Sequence, residues 1–399
     1  MKRSFTIIAA LALLTIPILA LGRGAAVGYW HGRAVLEGGL PQATENRIAQ
    51  NFPGRDTLTG WSLAIRVLGG QREYNQIFIS GDELIPVLDP PFDYLVSENT
   101  QAILEFAQQS RPHVYTMIIP TVSAIRQQSL PSFFLGQSVN QRQFIDQVYS
   151  EMLGSVATID DYTSEMLGRV TTIDAYTALF NAREQYIFYR TQNNLTSLGG
   201  FHLYYALGQS GRLLESTARP SLQRYDVEHV MYNFFGDLYA RSPFQNARGD
   251  ILSIFRYRRT PMPREYIVTI HQNGQARTYH TLFPLHNLDL EGREMDIFLG
   301  GRGAKTVITT SSTFPNNLLV VGDHTALAFV PFLANHYRTV TLLDLSQMRG
   351  EDFLAVARQI ERDFYDQILI AYSIETYMHY PYPALVLELL PQPGEYWEY

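Results

Sequence analysis

The sequence predicts an α/β fold with a mainly parallel sheet, and three observations carry that prediction. The first is a succession of strand, loop, helix, strand, helix and strand between Asn317 and Ile374, the pattern of a right-handed parallel layer whose ligands sit at the carboxyl ends of its strands. The second is Tyr115 to Thr121 (YTMIIPT), an apolar, β-branched run of strand length, preceded by a helix-like stretch from Glu98 to Gln109. The third is Asn273-Gly274 between the alternating residues of Ile267 to Thr281, a type I′ hairpin signal that marks residues 221–300 as an inserted β-rich lobe.

Lys2 and Arg3 precede 19 uncharged residues, Ser4 to Gly22 (SFTIIAALALLTIPILALG). That run is long for a cleaved signal region and just long enough to span a bilayer core of about 30 Å. Residues 1–24 are therefore expected to act as a signal anchor, or alternatively as a signal peptide cut near Ala20 and Gly22, and the two leading cations place the remainder outside the cytoplasmic membrane. From Glu45 to Pro90 turn residues dominate, so this part reads as an approach segment wrapped on a later core. Gln141 to Leu153 is helical by spacing, with Phe144, Ile145, Val148, Tyr149 and Met152 on one face.

Residues 150–163 (SEMLGSVATIDDYT) recur at 164–177 (SEMLGRVTTIDAYT), identical at 11 of 14 positions. Two copies do not make a solenoid, so one is expected to be surplus to the fold. Because 14 residues are close to four helical turns, an extra copy lengthens a helix while rotating the rest of the chain only slightly. Tyr186 to Thr191 (YIFYRT) reads as a strand, and Thr196-Ser197 caps a helix running to Leu207. In the last third, strands are expected at Asn317–Gly322, Thr339–Leu345 and Gln367–Ile374, with helices at Ala326–His336 and Asp352–Phe364. The main domain thus covers 45–380, and the Pro-rich end, 381–399, reads as a loosely docked tail.

Composition narrows the function. Charged residues are 17% of the chain and apolar residues 46%, a globular balance and not that of a disordered chain. A formal charge of −7 argues against a phosphate-neutralising surface, so nucleic acid is not an expected partner. The absence of cysteine excludes disulfides, thiolate metal sites and thiol catalysis. The ten histidines are scattered, with no ligand spacing among them, so no metal and no cofactor is expected.

Two segments resemble a known family. FYRTQNNLTSLGGFHLYYAL (188–207) is similar to the signature of the DHHW proteins, relatives of the alginate acetylation proteins, in which Tyr-Arg-Thr-Asp-His-His-Trp-Thr leads into a helix. LLVVGDHTALAFVPFLANHYRTVTLLDL (318–345) resembles the same family's nucleophile block, and weaker echoes occur at 52–56 (FPGRD), 118–131 and 298–301 (FLGG). The resemblance implies an exported, SGNH-hydrolase-like α/β/α protein linked to acyl, often acetyl, modification of cell-surface polysaccharide. By the same alignment the family's aspartate falls on Gln192, its general-base histidine on Asn194, its tryptophan on Leu195 and its serine nucleophile on His324, while the preceding Asp323 is kept.

Acyl transfer needs a hydroxyl, an imidazole to take its proton and a carboxylate to fix the imidazole's tautomer. Glutamine, asparagine and histidine at these positions cannot play those parts. The resemblance therefore implies a degenerate triad, with Asp323, Arg190, Thr191 and Leu195 as neighbouring pocket residues and no catalytic residue. A binding or scaffolding role toward a polysaccharide, near membrane-bound acyl-transfer machinery, is the expectation. The rivals are an active O-acetyltransferase or esterase using His324, Asp323 and an unrecognised hydroxyl, and a purely structural envelope protein with a closed pocket. Ser197, Ser311 and Ser312 read as cap or loop hydroxyls, and Asp160 and Asp174 as turn or cap residues. His202, His280, His286 and His336 read as half-buried packing residues, and the Tyr377–Pro383 run (YMHYPYP) as amphipathic packing that also has the chemistry to stack on sugars.

Overall fold

The computed structural model describes residues 55–390 except 132–133, 135–137, 158–169, 211–212, 215–219, 245, 259–263, 291 and 313. The apolar N-terminal run, Asp160 and residues 391–399 lie outside the described residues. Helix α1 (Arg55–Leu68) is followed by β1 (Glu73–Tyr74), β2 (Ile77–Ser80) and β3 (Glu83–Pro86), a small antiparallel sheet. The expected approach segment thus has structure of its own. Alternation along β2 and β3 divides their side chains. Ile77, Ile79 and Leu84 join Leu63, Leu238 and Phe244 in a satellite cluster, whereas Phe78 and Ile85 enter the main core.

Next come α2 (Asp93–Gln109), β4 (His113–Ile119), α3 (Val122–Ile125), α4 (Gln141–Ala157), β5 (Val170–Thr172) and α5 (Ala175–Asn181). The duplicated motif is divided between them. The first half of copy one closes α4, and the second half of copy two forms β5 and the start of α5. Asp174 is the cap of α5, accepting from Thr177 N at 2.9 Å and pairing with Arg142 at 3.2 Å. Residues 186–191 are not a strand. Only an isolated bridge joins Phe188 to Leu195, because the amides of Arg190 and Thr191 donate to the Asp250 carboxylate at 2.7 and 2.9 Å instead of to a neighbouring strand.

Helix α6 (Ser197–Gln209) starts as expected at Thr196, whose hydroxyl accepts from Gly199 N at 3.2 Å. Its two glycines decide how closely it packs. A Cβ on Gly200 would stand 1.9 Å from the Ala328 carbonyl oxygen, and one on Gly199 2.2 Å from that of Ile187. Glycine is therefore what lets α6 lie directly on the turn that carries His324. Strands β6 (Tyr225–Phe234) and β7 (Asp250–Tyr257) form a two-stranded sheet around the short α7 (Asp237–Arg241). Strands β8 (Tyr266–Gln272) and β9 (Gln275–Tyr279) make the hairpin, with φ of 52° and 73° at Asn273 and Gly274, as a type I′ turn demands.

The remaining elements are β10 (Lys305–Thr310), β11 (Asn317–Gly322), α8 (Val330–Leu333), β12 (Thr339–Leu343), α9 (Gly350–Glu361), β13 (Gln367–Ser373) and α10 (Ile374–His379). One sheet of eight strands runs β5-β4-β13-β11-β12-β10-β8-β9, so the fold is mixed α/β. Its first five strands are parallel and the last three antiparallel. Burial follows that division: β11, β12 and β13 are buried almost throughout, while β8 and β10 alternate, as expected where only the parallel part is covered on both faces. The idea of a lobe over 221–300 is corrected accordingly. Hairpin β8–β9 extends the main sheet, and of the described residues in 221–300 only β6–β7 forms a sheet apart.

Two further expectations change. The helix proposed for 326–336 is a 3₁₀ turn from His324 to Ala328 followed by the single turn of α8. Pro331 lacks an N–H and clashes with the turn before it, so it sits in the first turn of a new helix and cannot lie inside a longer one. Residues 382–389 are not a loose tail but a 3₁₀ segment, with Val386 and Leu389 fully buried. Asn99 fastens this end. Its amide donates to the Tyr377 and Tyr380 carbonyls and accepts from Ala384 N. Among the described residues no helix is long and apolar enough to cross a membrane.

One buried histidine makes stability depend on pH. His336, 6% exposed, has Nε2 2.6 Å from the Tyr204 hydroxyl. Burial first, then the charges of Arg264 and Arg224, push it down to about 4. The unfolded chain takes this proton near pH 6.5 and the folded chain resists it, so the stabilisation is complete above that value and is lost as pH falls toward 4. The slope is about 1.4 kcal/mol per pH unit, roughly 3 kcal/mol over the window. His336→Gln is expected to flatten the dependence of urea stability between pH 6.5 and 4.5; an unchanged slope would show that other groups set it.

Candidate active site

The parallel strands end on three acids in a row. Asp323 follows β11, Asp344 follows β12, and Glu375 lies in the first turn of the helix after β13. They line one open cavity of about 680 Å³ with Gln192, Asn193, Asn194 and His324. A cavity at the carboxyl edge of adjacent parallel strands is where a fold of this type binds ligands.

Asp323 is almost enclosed. One carboxylate oxygen accepts from the amide and hydroxyl of Thr325 at 2.9 and 2.5 Å. The other accepts from Ser373 N, Ser373 Oγ and Thr376 Oγ1 at 2.9, 2.6 and 2.7 Å. Burial alone would push this carboxyl up. The charge of His324 and then the bonds from Ser373, Thr325 and Thr376 outweigh burial and hold it below the usual carboxylate range.

His324, at the start of the 3₁₀ turn, has Nε2 3.2 Å from the Asn193 carbonyl oxygen. A carbonyl only accepts, so Nε2 carries the proton. Asn194 Nδ2 lies 3.5 Å from the backbone oxygen of His324, and its Oδ1 accepts from Leu195 N at 2.8 Å. Gln192 caps α7 at the cavity wall, its Oε1 accepting from Asp237 N at 2.9 Å. Gln192, Asn194 and His324 therefore share the cavity wall without forming a hydrogen-bonded chain from one side chain to the next.

Three expected pocket residues serve elsewhere. Arg190 lies with its Nε 3.7 Å from Glu83 and its guanidinium over the Tyr186 ring. Thr191 is fully buried, and its hydroxyl donates to Asp250 at 2.5 Å. Leu195, 3% exposed, belongs to the core and lines only a recess of about 20 Å³ beside the main cavity. The candidate hydroxyls stand apart as well. Ser197 donates to the Ser253 carbonyl, Ser311 accepts from Glu265 N and Ser312 from Phe314 N. Of the histidines, His202 is half-buried and held low by burial, whereas His280 and His286 are exposed and not packed inside.

Sequence reasoning missed Asp344, Glu375, Asp237, Asp296, Arg241 and Arg302, all of which line the cavity. The signal for the first two is present in the sequence, since Asp344 lies at the end of the expected strand Thr339–Leu345 and Glu375 follows the expected strand Gln367–Ile374. Asp344 pairs with Arg302 at 2.6 Å and accepts from Ser346 Oγ at 2.5 Å. Among the described residues no group of three or more acidic or histidine side chains is arranged to hold a metal ion.

A family model described as DHHW protein matches residues 77–343. A crystal structure of a DHHW family protein from Eubacterium siraeum is 17% identical, with 80% of this chain and 98% of that one covered and a TM-score of 0.60. Bacillus cereus PatB1 with a sulfonyl adduct is 15% identical over 77% and 97% of the two chains, with a TM-score of 0.58. The O-acetyltransferase domain of Pseudomonas putida AlgJ is 11% identical over 78% and 98%, with a TM-score of 0.44. No curated protein matches the chain.

Proposed function

The chain belongs to the DHHW protein family, and from that premise we propose that it is a catalytically silent member, with an SGNH-like three-layer α/β/α fold, that binds a glycan. In this reading it sits outside the cytoplasmic membrane, anchored by residues 1–24, beside membrane-bound machinery that acylates a cell-surface polysaccharide. The observation that carries the reading is the direction of the His324 ring: its protonated nitrogen is spent on the Asn193 carbonyl. Next to it, the hydroxyls of Thr325, Ser373 and Thr376 all donate to Asp323. No proton relay from hydroxyl to imidazole to carboxylate is supported by these contacts, while an open cavity of about 680 Å³ remains for binding. The same openness speaks against a purely structural role with a filled pocket.

The test is hydrolysis of an activated acetate ester by the full-length chain in mild detergent, measured beside His324→Ala. Equal rates are expected, within about twofold, because a group outside the proton path contributes no transition-state stabilisation. A clear drop in the variant would establish the rival reading of an active esterase or acyltransferase built on His324 and Asp323.

A further inference from the structure

The cavity's charge narrows the class of glycan, an argument that rests on the binding role proposed above. Five carboxylates line it, against two guanidinium groups. Arg302 is paired with Asp344 at 2.6 Å, and Arg241 donates to the neutral Asn75 carbonyl at 3.2 Å. Glu375 and Asp237, by contrast, accept from neutral amides of Asn193, the side chain at 3.1 Å and the backbone at 2.9 Å. Their charge faces the cavity without a guanidinium beside it.

A second feature is independent of that charge. Tyr372 lines the cavity at 2% exposure, and its hydroxyl has no hydrogen-bond partner among the described residues. An orphaned buried hydroxyl is costly unless something else satisfies it. Burial holds it neutral, far above the usual tyrosine range, so it remains a donor. At the rim Tyr380 and Tyr382 stack with centroids 5.3 Å apart, and Tyr380 is 42% exposed, a flat apolar surface of the kind that meets a sugar face.

We propose that the cavity takes an amino sugar with a free ammonium group, held by Glu375 and Asp237, with a ring oxygen on Tyr372 and a face against Tyr380. A uronate meets a lining of five carboxylates against two guanidinium groups and is disfavoured by like charge. An N-acetylated sugar lacks the charge that the two carboxylates select.

Calorimetry on the full-length chain in detergent tests this with three oligosaccharides of equal length: glucosamine, N-acetylglucosamine and a uronate. Binding of the glucosamine oligomer alone is expected, weakened about tenfold by Glu375→Gln, the effect of one lost charge contact. Tyr372→Phe removes a hydroxyl that has no partner among the described residues, so it is expected to leave the melting temperature unchanged yet weaken binding several-fold. Binding of the N-acetylated or uronate oligomer as tightly, or unchanged affinity in both variants, overturns the charge assignment alone. Binding of none of the three overturns it together with the binding role.

Discussion

Asp250→Ala is expected to lower the free energy of unfolding by about 3–5 kcal/mol, the range seen when several buried partners of one charged group are orphaned together. Asp250 is fully buried at the start of β7. Its carboxylate accepts from the Tyr186 hydroxyl, from Arg190 N at 2.7 Å, from Thr191 N at 2.9 Å and from Thr191 Oγ1 at 2.5 Å. One of those donors has another acceptor in reach, since Thr191 Oγ1 is 3.4 Å from the Phe234 carbonyl. The two backbone amides depend on the carboxylate. Cutting it loose frees residues 186–194, and with them Gln192, Asn193 and Asn194 on the cavity wall. Asp250→Asn is expected to cost nearly as much, because the amide nitrogen would face donors where the native oxygen accepts. Equilibrium denaturation in urea measures both. A change below about 1 kcal/mol in the alanine variant, the value of one ordinary hydrogen bond, would mean that packing of Phe188, Tyr189 and Leu195 holds the segment instead.

That clamp explains why the sequence misled at one place and informed at others. The strands β4, β11, β12 and β13 were legible because a parallel strand buried on both faces reads as an unbroken apolar run. The β8–β9 turn was legible because only residues tolerant of positive φ fit a type I′ turn. Residues 186–191 have the same β-branched and aromatic content, yet their acceptors come from a carboxylate some sixty positions later, which no local pattern announces. The strands β1 to β3 escaped notice for the opposite reason. They have two to four residues each, too short for alternation to register. The docking of residues 382–389 depends on Asn99, again a distant polar side chain.

The site divides in the same way. Asp323 and His324 were placed correctly at a strand end, because strand and turn are local features. Where side chains point within the irregular 190–195 segment is set by Asp250 and Asp237, so Arg190 and Thr191 turn away from the pocket that the resemblance implies for them. Asp344 and Glu375 are readable from the rule that ligands gather beyond parallel strands, whereas the family resemblance bears on position 324 and not on the acids around it.

Gln192→Asp, Asn194→His and His324→Ser, combined, are expected to raise activated-ester hydrolysis about 10²-fold over the wild-type chain, the lower end of what a positioned general base contributes. Serine at 324 would open the 3₁₀ turn directly beyond β11. The residue 194 side chain already approaches the backbone of residue 324, at 3.5 Å, so an imidazole there is near the new hydroxyl. Aspartate at 192, two positions before it, supplies the carboxylate that fixes the imidazole's tautomer. It gives up the Gln192 bond to Asp237 N, a cap at an exposed helix end worth roughly 1 kcal/mol. Members of a triad act as a unit. His324→Ser alone is therefore expected to gain nothing, the pair with Asn194→His to gain part, and the triple to gain most. A triple variant that melts like the wild type and shows no gain would mean that the cavity wall itself does not support turnover, since Thr325 N is already bound to Asp323 and is not free to stabilise an oxyanion.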